Sequence, residues 1–277
     1  MNPMGNRLEQ LSEQDLDFLV RAVATTRRDY DRIKDAVRGK PDLLQVMLDD
    51  PRVFDRLMSD TDAVVRVSPF LVFTVLLRRV QADLRSRSFT MEVSSQGTLP
   101  VFDAEAAAEL LEDPSVRDYL AVMLEEFTRI DRHTVQVWGA SGPRFVSYSN
   151  FAVEDMEMLA QLTAEDRRFP IYRRLGDLCL FLTGMFADHL ARRARETNGG
   201  RGRRPVPVRG IAEYEELGRT YYRRAAEAEP AAGAGLGRLL ARLADEFTVA
   251  RKPLAVLAQR YIPMQRHRWF PAPPRPA

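Results

Sequence analysis

Cysteine is nearly absent from this 277-residue chain, and the single one, Cys179, lies in the apolar run LGDLCLFL. An internal disulfide and a thiolate metal cluster are therefore excluded, and a lone thiol in such a run reads as a small buried hydrophobe. Histidine is scarce too. His133, His189 and His267 stand far apart, and none has a second ligand at H-x-x-x-H or E-x-x-H spacing. A bundle di-metal site needs a Glu-x-x-His pair on each of two helices, so no metal and no cofactor are expected. His189 is placed near a helix C-terminus, interacting with the helix dipole. Lysine occurs only at Lys34, Lys40 and Lys252, the other basic residues being arginine. With so much alanine alongside, this reads as the coding bias of a GC-rich genome rather than selection for bidentate recognition. Long apolar runs are missing as well. The longest, near 70–77 and 178–187, fall short of the ~20 residues that span a bilayer. The opening MNPMGNRLEQLSEQ lacks the basic-then-apolar pattern of a signal peptide. A soluble, bacterial, cytoplasmic protein is expected.

What is present suits a sizeable core: 45% hydrophobic and 29% charged residues. Forty-one basic against thirty-nine acidic residues leave a formal net charge of +2, without the clustered excess of a dedicated nucleic-acid-binding domain. Leu16, Leu19, Val23, Tyr30, Ile33 and Val37 recur at helical spacing, with one seven-residue step across Arg27. They predict one helix, capped by Ser12 with Asp15 in the capping-box position and stopped at Gly39. Asp50-Pro51, Ser68-Pro69 and Asp113-Pro114 each set a capping oxygen before a residue that needs no N–H partner. The Ser68 helix is apolar nearly all round and should be central. Helical spacing returns with Met156, Leu159 and Leu162, after Pro170, through Tyr214–Ala225, and from Leu236 into a last long helix that Pro253 kinks or restarts. Phe89, Met91 and Val93 alternate before a turn at 94–97, and 134–148 reads as a hairpin around a Gly-containing loop. The fold class is mainly α, a multi-helix bundle with one or two small β-hairpins. One helical domain is expected over 1–262, with a sub-boundary near 150, a mobile basic loop at 192–210 and a disordered tail at 263–277.

Motifs that carry chemistry are few. Gly233-Ala-Gly235-Leu-Gly237 has no strand before it and reads as a flexible helix start, not a phosphate loop. The acids at Glu125-Glu126, Glu154-Asp155-Glu157 and Glu213-Glu215-Glu216 read as solvated helix faces. The most unusual segment is 175–186. Gly176 and Gly184 lie eight apart and share a face, which predicts a helix-packing motif, with Asp177 held by Arg173 and Arg174. Gly176-Asp177-x-x-Leu180-Phe181-x-x-Gly184-x-Phe186, followed by Tyr214-x-x-Leu217-Gly218-x-x-Tyr221-Tyr222-x-x-Ala225, resembles a pattern of widespread bacterial helical proteins of unknown function. The resemblance covers about 173–261, implies a helical fold, and brings no activity or site residue with it. The arginine-rich insertion at 196–209 is not part of that pattern.

The stretch 192–210 holds seven arginines against Glu196. Arg and Gly without aromatics suit phosphate contacts rather than base stacking, so Arg201, Arg203, Arg204 and Arg209 are the candidate anion contacts. Three functions stay open: a non-enzymatic interaction or regulatory protein that engages a protein partner or itself, a weak nucleic-acid or anion binder through this loop, or an enzyme or small-ligand carrier with an inter-helix pocket.

Overall fold

The computed structural model describes residues 7–26, 29–60, 66–94, 97–129, 132–139, 142–199, 209–262 and 269–270, with side chains left undescribed at 94, 132–139, 142–147 and 196–199. Helices α1 (Glu13–Val23), α2 (Tyr30–Arg38), α3 (Pro41–Leu48), α4 (Pro51–Ser59) and α5 (Pro69–Arg85) lead into a hairpin of β1 (Thr90–Ser94) and β2 (Gly97–Val101). Then come α6 (Ala104–Leu110), α7 (Pro114–Phe127) and a second hairpin, β3 (Arg132–Gly139) with β4 (Gly142–Ser149). The rest is α8 (Val153–Leu162), α9 (Phe169–Met185), α10 (Ala187–Gly199), α11 (Ile211–Glu227), α12 (Glu229–Gly233), α13 (Gly237–Asp245) and α14 (Phe247–Val256), closed by a π turn over Leu257–Tyr261. Both sheets are two-stranded and antiparallel, Thr90 facing Val101 in one and Arg132 facing Ser149 in the other. The mainly α fold class with small hairpins is what the structure shows.

The predicted caps form. Ser12 accepts from Asp15 N–H while Asp15 accepts from Ser12 N–H, both at 3.1 Å. Asp50, Ser68 and Asp113 each accept a backbone N–H of the helix they open. Asp15 also accepts from the Ser68 backbone at 2.7 Å, so the cap of α1 fixes the start of α5. Two helices are wrapped on all sides: α5 buries nearly every residue from Phe70 to Leu84, and α9 buries Arg174 through Met185 without interruption. α5 packs on α6 and α7, α9 on α8, α11 and α14, and α14 also touches α5, α6 and α11. One hydrophobic cluster runs through both halves, on either side of residue 150. Phe181 of α9 illustrates this: it stacks on Phe127 at 4.2 Å and meets Phe151 edge-on at 5.7 Å.

Four expectations are corrected. The first helix is two, because α1 ends at Val23, and the polar, β-branched stretch after Ala24 gives the helix no apolar face to bury. The basic loop does not begin at Arg192. α10 continues through 192–199, since Ala, Arg and Glu are good helix formers. In the last helix the break falls at Glu246, while Pro253 lies inside α14 and the chain loosens into π geometry only afterwards. The tail expected to be disordered from 263 contains Phe270, which is 1% exposed. Its ring stacks on Phe73 of α5 and meets Phe181 of α9 at 4.9 Å. Burying an aromatic of that size against two others outweighs the cost of ordering it.

Candidate functional site

Gly176, Asp177 and Gly184 sit where α9 meets three other helices, α7, α11 and α14. A β-carbon on Gly176 would lie 2.5 Å from the Tyr222 ring of α11, and one on Gly184 would lie 2.5 Å from Leu254 Cβ and 3.1 Å from the Arg251 carbonyl of α14. Both are close crossings, against different neighbours. Gly218 makes a third, with Phe247 ring atoms at 2.4 Å. Asp177 is buried, and its Oδ1 accepts hydroxyl hydrogen bonds from Tyr119 of α7 at 2.5 Å and Tyr222 at 2.8 Å. Arg173 Nε lies 3.9 Å from the other oxygen, while Arg173 and Arg174 both reach Glu126. Burial pushes the Asp177 carboxyl above its ordinary value against the pull of Arg173. Burial and the Asp177 charge drive both phenols well above theirs, which keeps them protonated donors. The cluster has no opening to solvent at Asp177. It joins α7, α9 and α11 and offers no reacting group. Burial likewise pushes the Cys179 thiol up, away from the reactive thiolate.

The loop residues read as anion contacts are not brought together. Arg201, Arg203 and Arg204 lie outside the described residues. Arg209 is paired with Glu157 at 2.7 Å and Glu154 at 3.6 Å, so its charge is matched within the fold. These glutamates are therefore not a purely solvated face, and neither are Glu126 and Glu215, both half-buried and paired with arginine. His189 is near the start of α10, not at a helix C-terminus, with its Nδ1 3.2 Å from Arg192. Among the described residues no group of His, Cys, Asp and Glu is placed to hold a metal ion, and no helix is long and apolar enough to cross a membrane.

A second charged cluster went unread in the sequence. Arg251 and Lys252 of α14 are 2% and 1% exposed. Lys252 Nζ meets Glu92 at 2.5 Å and Asp103 at 2.9 Å, and Arg251 pairs with Glu92 and Glu215. Burial raises the Glu92 carboxyl, but Lys252 and Arg251 outweigh it and hold Glu92 below the ordinary value. Thr90 adds a hydrogen bond to Asp103 at 2.6 Å. The β1–β2 hairpin is thus fastened to α14 by its carboxylate. Its large apolar side chains are left outside: Phe89, Met91 and Leu99 are exposed, and Phe102 is 80% exposed. Phe89 and Phe102 touch edge to face at 6.1 Å and share a ribbon face with Met91, whereas Leu99 stands opposite Glu92 on the other face. The available signal was Arg251-Lys252 inside VARKPLAVLA, two charges in an apolar helix that required carboxylates from elsewhere.

Fold and site together define a mainly helical protein that carries a charge-anchored hairpin with an apolar outer surface. No protein-family model, curated protein or solved structure matches the chain.

Proposed function

We propose that this chain is a non-enzymatic interaction protein of the bacterial cytoplasm, that the β1–β2 hairpin is its contact surface, and that the occupant is a second copy of the chain. The observation that carries the reading is the exposed apolar bulk of Phe89, Met91 and Phe102 on one face of the ribbon. Scattered surface hydrophobes need no explanation, but a continuous patch marks a contact site. Glu92 is turned away from this face onto Arg251 and Lys252, so a two-fold axis would set the apolar side chains on their copies with Arg87 and Arg260 at the rim. Strand addition is the weaker geometry: β1 runs beside α10, and β2 carries Pro100, which has no N–H to donate. Side-chain packing of hairpin on hairpin is the mode that remains.

Sedimentation equilibrium tests this. Wild type should dimerise with rising concentration, and Met91→Ser with Phe102→Ser should shift the chain to monomer while leaving its circular dichroism unchanged. A wild type that stays monomeric over the whole range, or a dimer indifferent to both substitutions, overturns the reading.

A further inference from the structure

A cleft of about 460 Å³ opens between the α3–α4 junction, α5 and the start of α7. Its apolar wall is Leu48, Phe54 and Val75, and four arginines line it: Arg78, Arg79, Arg85 and Arg117. The acids there are already engaged. Asp49 pairs with Arg78, Asp50 with Arg52 at 2.6 Å, and Glu112 with Arg85 at 2.8 Å. Arg79 lies 3.4 Å from Asp83 and over the Phe54 ring. Arg117 differs from the other three. Its Nη1 donates only to neutral acceptors, Gln81 Oε1 at 2.9 Å and the Leu111 carbonyl at 2.8 Å, and its buried Nε, like those of Arg78 and Arg79, has no partner among the described residues. Neighbouring Asp118 makes no ion pair with it among the described residues, and burial raises the Asp118 carboxyl, disfavouring its charged form. Burial, then repulsion from Arg78, lowers the Arg117 guanidinium below its ordinary value, and the attraction of Asp118 and Asp49 does not make up for it.

We propose that this cleft binds a small oxyanion, the carboxylate or phosphate group of a compact organic molecule, with Arg117 as its counter-charge and the Leu48, Phe54 and Val75 wall receiving the molecule's apolar part. A guanidinium presents a planar fork matched to either oxyanion, and hydrogen bonds to it are charge-assisted. The volume lies at the small end of ligand pockets, which run from about 300 to 1,000 Å³. An anion placed there would relieve the repulsion among Arg117, Arg78 and Arg85. The cleft is built from the helices around α5 and does not depend on the hairpin contact.

Isothermal titration with inorganic phosphate and with succinate, at constant ionic strength, tests the site on four proteins: wild type, Arg117→Gln, Arg117→Lys and Arg238→Gln, an exposed control on α13. Wild type and the control should bind one of the two anions, and Arg117→Gln should weaken that binding about tenfold or more, with partial recovery in Arg117→Lys. A preference for phosphate or for succinate assigns the natural head group. Absence of binding by wild type up to millimolar anion, or equal binding by Arg117→Gln, overturns the proposal. Should Arg117→Gln fail to fold, the Arg117 Nε–H resonance of wild type decides instead: it shifts on titration if the site is real and stays fixed if it is not.

Discussion

Two buried charge clusters lie at the two ends of the same pair of glycines, and they are built on opposite principles. At Gly176, one carboxylate, Asp177, is held mainly by neutral tyrosine hydroxyls inside a junction of helices. At Gly184, two cations, Arg251 and Lys252, are held by carboxylates that come from β1, from Asp103 just before α6 and from α11. The first cluster is local to the helical core and complete within it. The second is complete only when the hairpin is in place, since Lys252 has no partner on its own helix. That difference explains how a hairpin can present Phe102 and Leu99 to solvent and still be fixed: its hold on the core is ionic, so its apolar side chains are not needed for attachment.

The largest expected effect is at the first cluster. Asp177→Ala leaves two buried hydroxyls without their acceptor, Arg173 keeping Glu126, and should cost about 3–5 kcal/mol in urea denaturation. Asp177→Asn, which still accepts hydrogen bonds, should cost clearly less. Equal losses would show that charge, not hydroxyl acceptance, holds that junction, and the contrast with the second cluster would collapse. Next comes Glu92→Ala, at about 2–3 kcal/mol, reduced because Glu92 is 27% exposed and because Asp103 and Glu215 remain on the cations. Hydrogen exchange should rise across 90–101 in this variant and not in Asp177→Asn. Exchange that rises equally in both would mean the hairpin is not separately anchored.

Gly176→Ala and Gly184→Ala sharpen the comparison at one atom each. Both should destabilise by about 1–3 kcal/mol through overpacking, where an exposed helical glycine would gain roughly 1 kcal/mol from alanine. At Gly176 the obstacle is a ring that carries one of the Asp177 hydrogen bonds. At Gly184 it is Leu254 Cβ and the Arg251 carbonyl, neither of which can swing away. Gly184→Ala should therefore cost more than Gly176→Ala. Stabilisation by either alanine would refute close packing at that crossing.

The sequence made the local half of this readable. Caps at Ser12, Asp50, Ser68 and Asp113 are decided within three residues, and the 132–149 hairpin follows from its own turn residues. The all-buried α5 and α9 follow from apolar content on every side. What stayed hidden depends on partners far along the chain. Of the two arginines expected to hold Asp177, Arg173 lies beside it while Arg174 turns to Glu126, and nothing announced Tyr119, fifty-eight residues away. Lys252 carried no reading at all, because the acid that matches it is 160 residues earlier. Phe270 sits in a proline- and arginine-rich tail with no helical pattern, so only the slot between Phe73 and Phe181 could show that it is core. Arg209 read as one of a run of like charges, and Glu154 and Glu157 read as a solvated face. Neither reading could foresee that they meet.

The smallest effect is the most discriminating, because the two clusters should respond to acid with opposite sign. Glu92 has a folded pKa below its unfolded value of about 4. Its contribution is therefore present above that value and is lost as pH falls through the folded pKa. Asp177 has a folded pKa above its unfolded value, so the folded protein holds that proton more tightly than the unfolded chain does. Its contribution is fully present below about pH 4 and declines as pH rises toward the folded pKa. Denaturation curves from pH 3 to 7 for wild type, Glu92→Gln and Asp177→Asn isolate each group by difference. Wild type minus Glu92→Gln should rise with pH across the acid range, and wild type minus Asp177→Asn should fall. A single proton limits either slope to about 1.4 kcal/mol per pH unit. Two difference curves that slope the same way would mean that hydroxyl donors and cations hold their carboxylates alike, and that the hairpin's attachment is no different in kind from the core's.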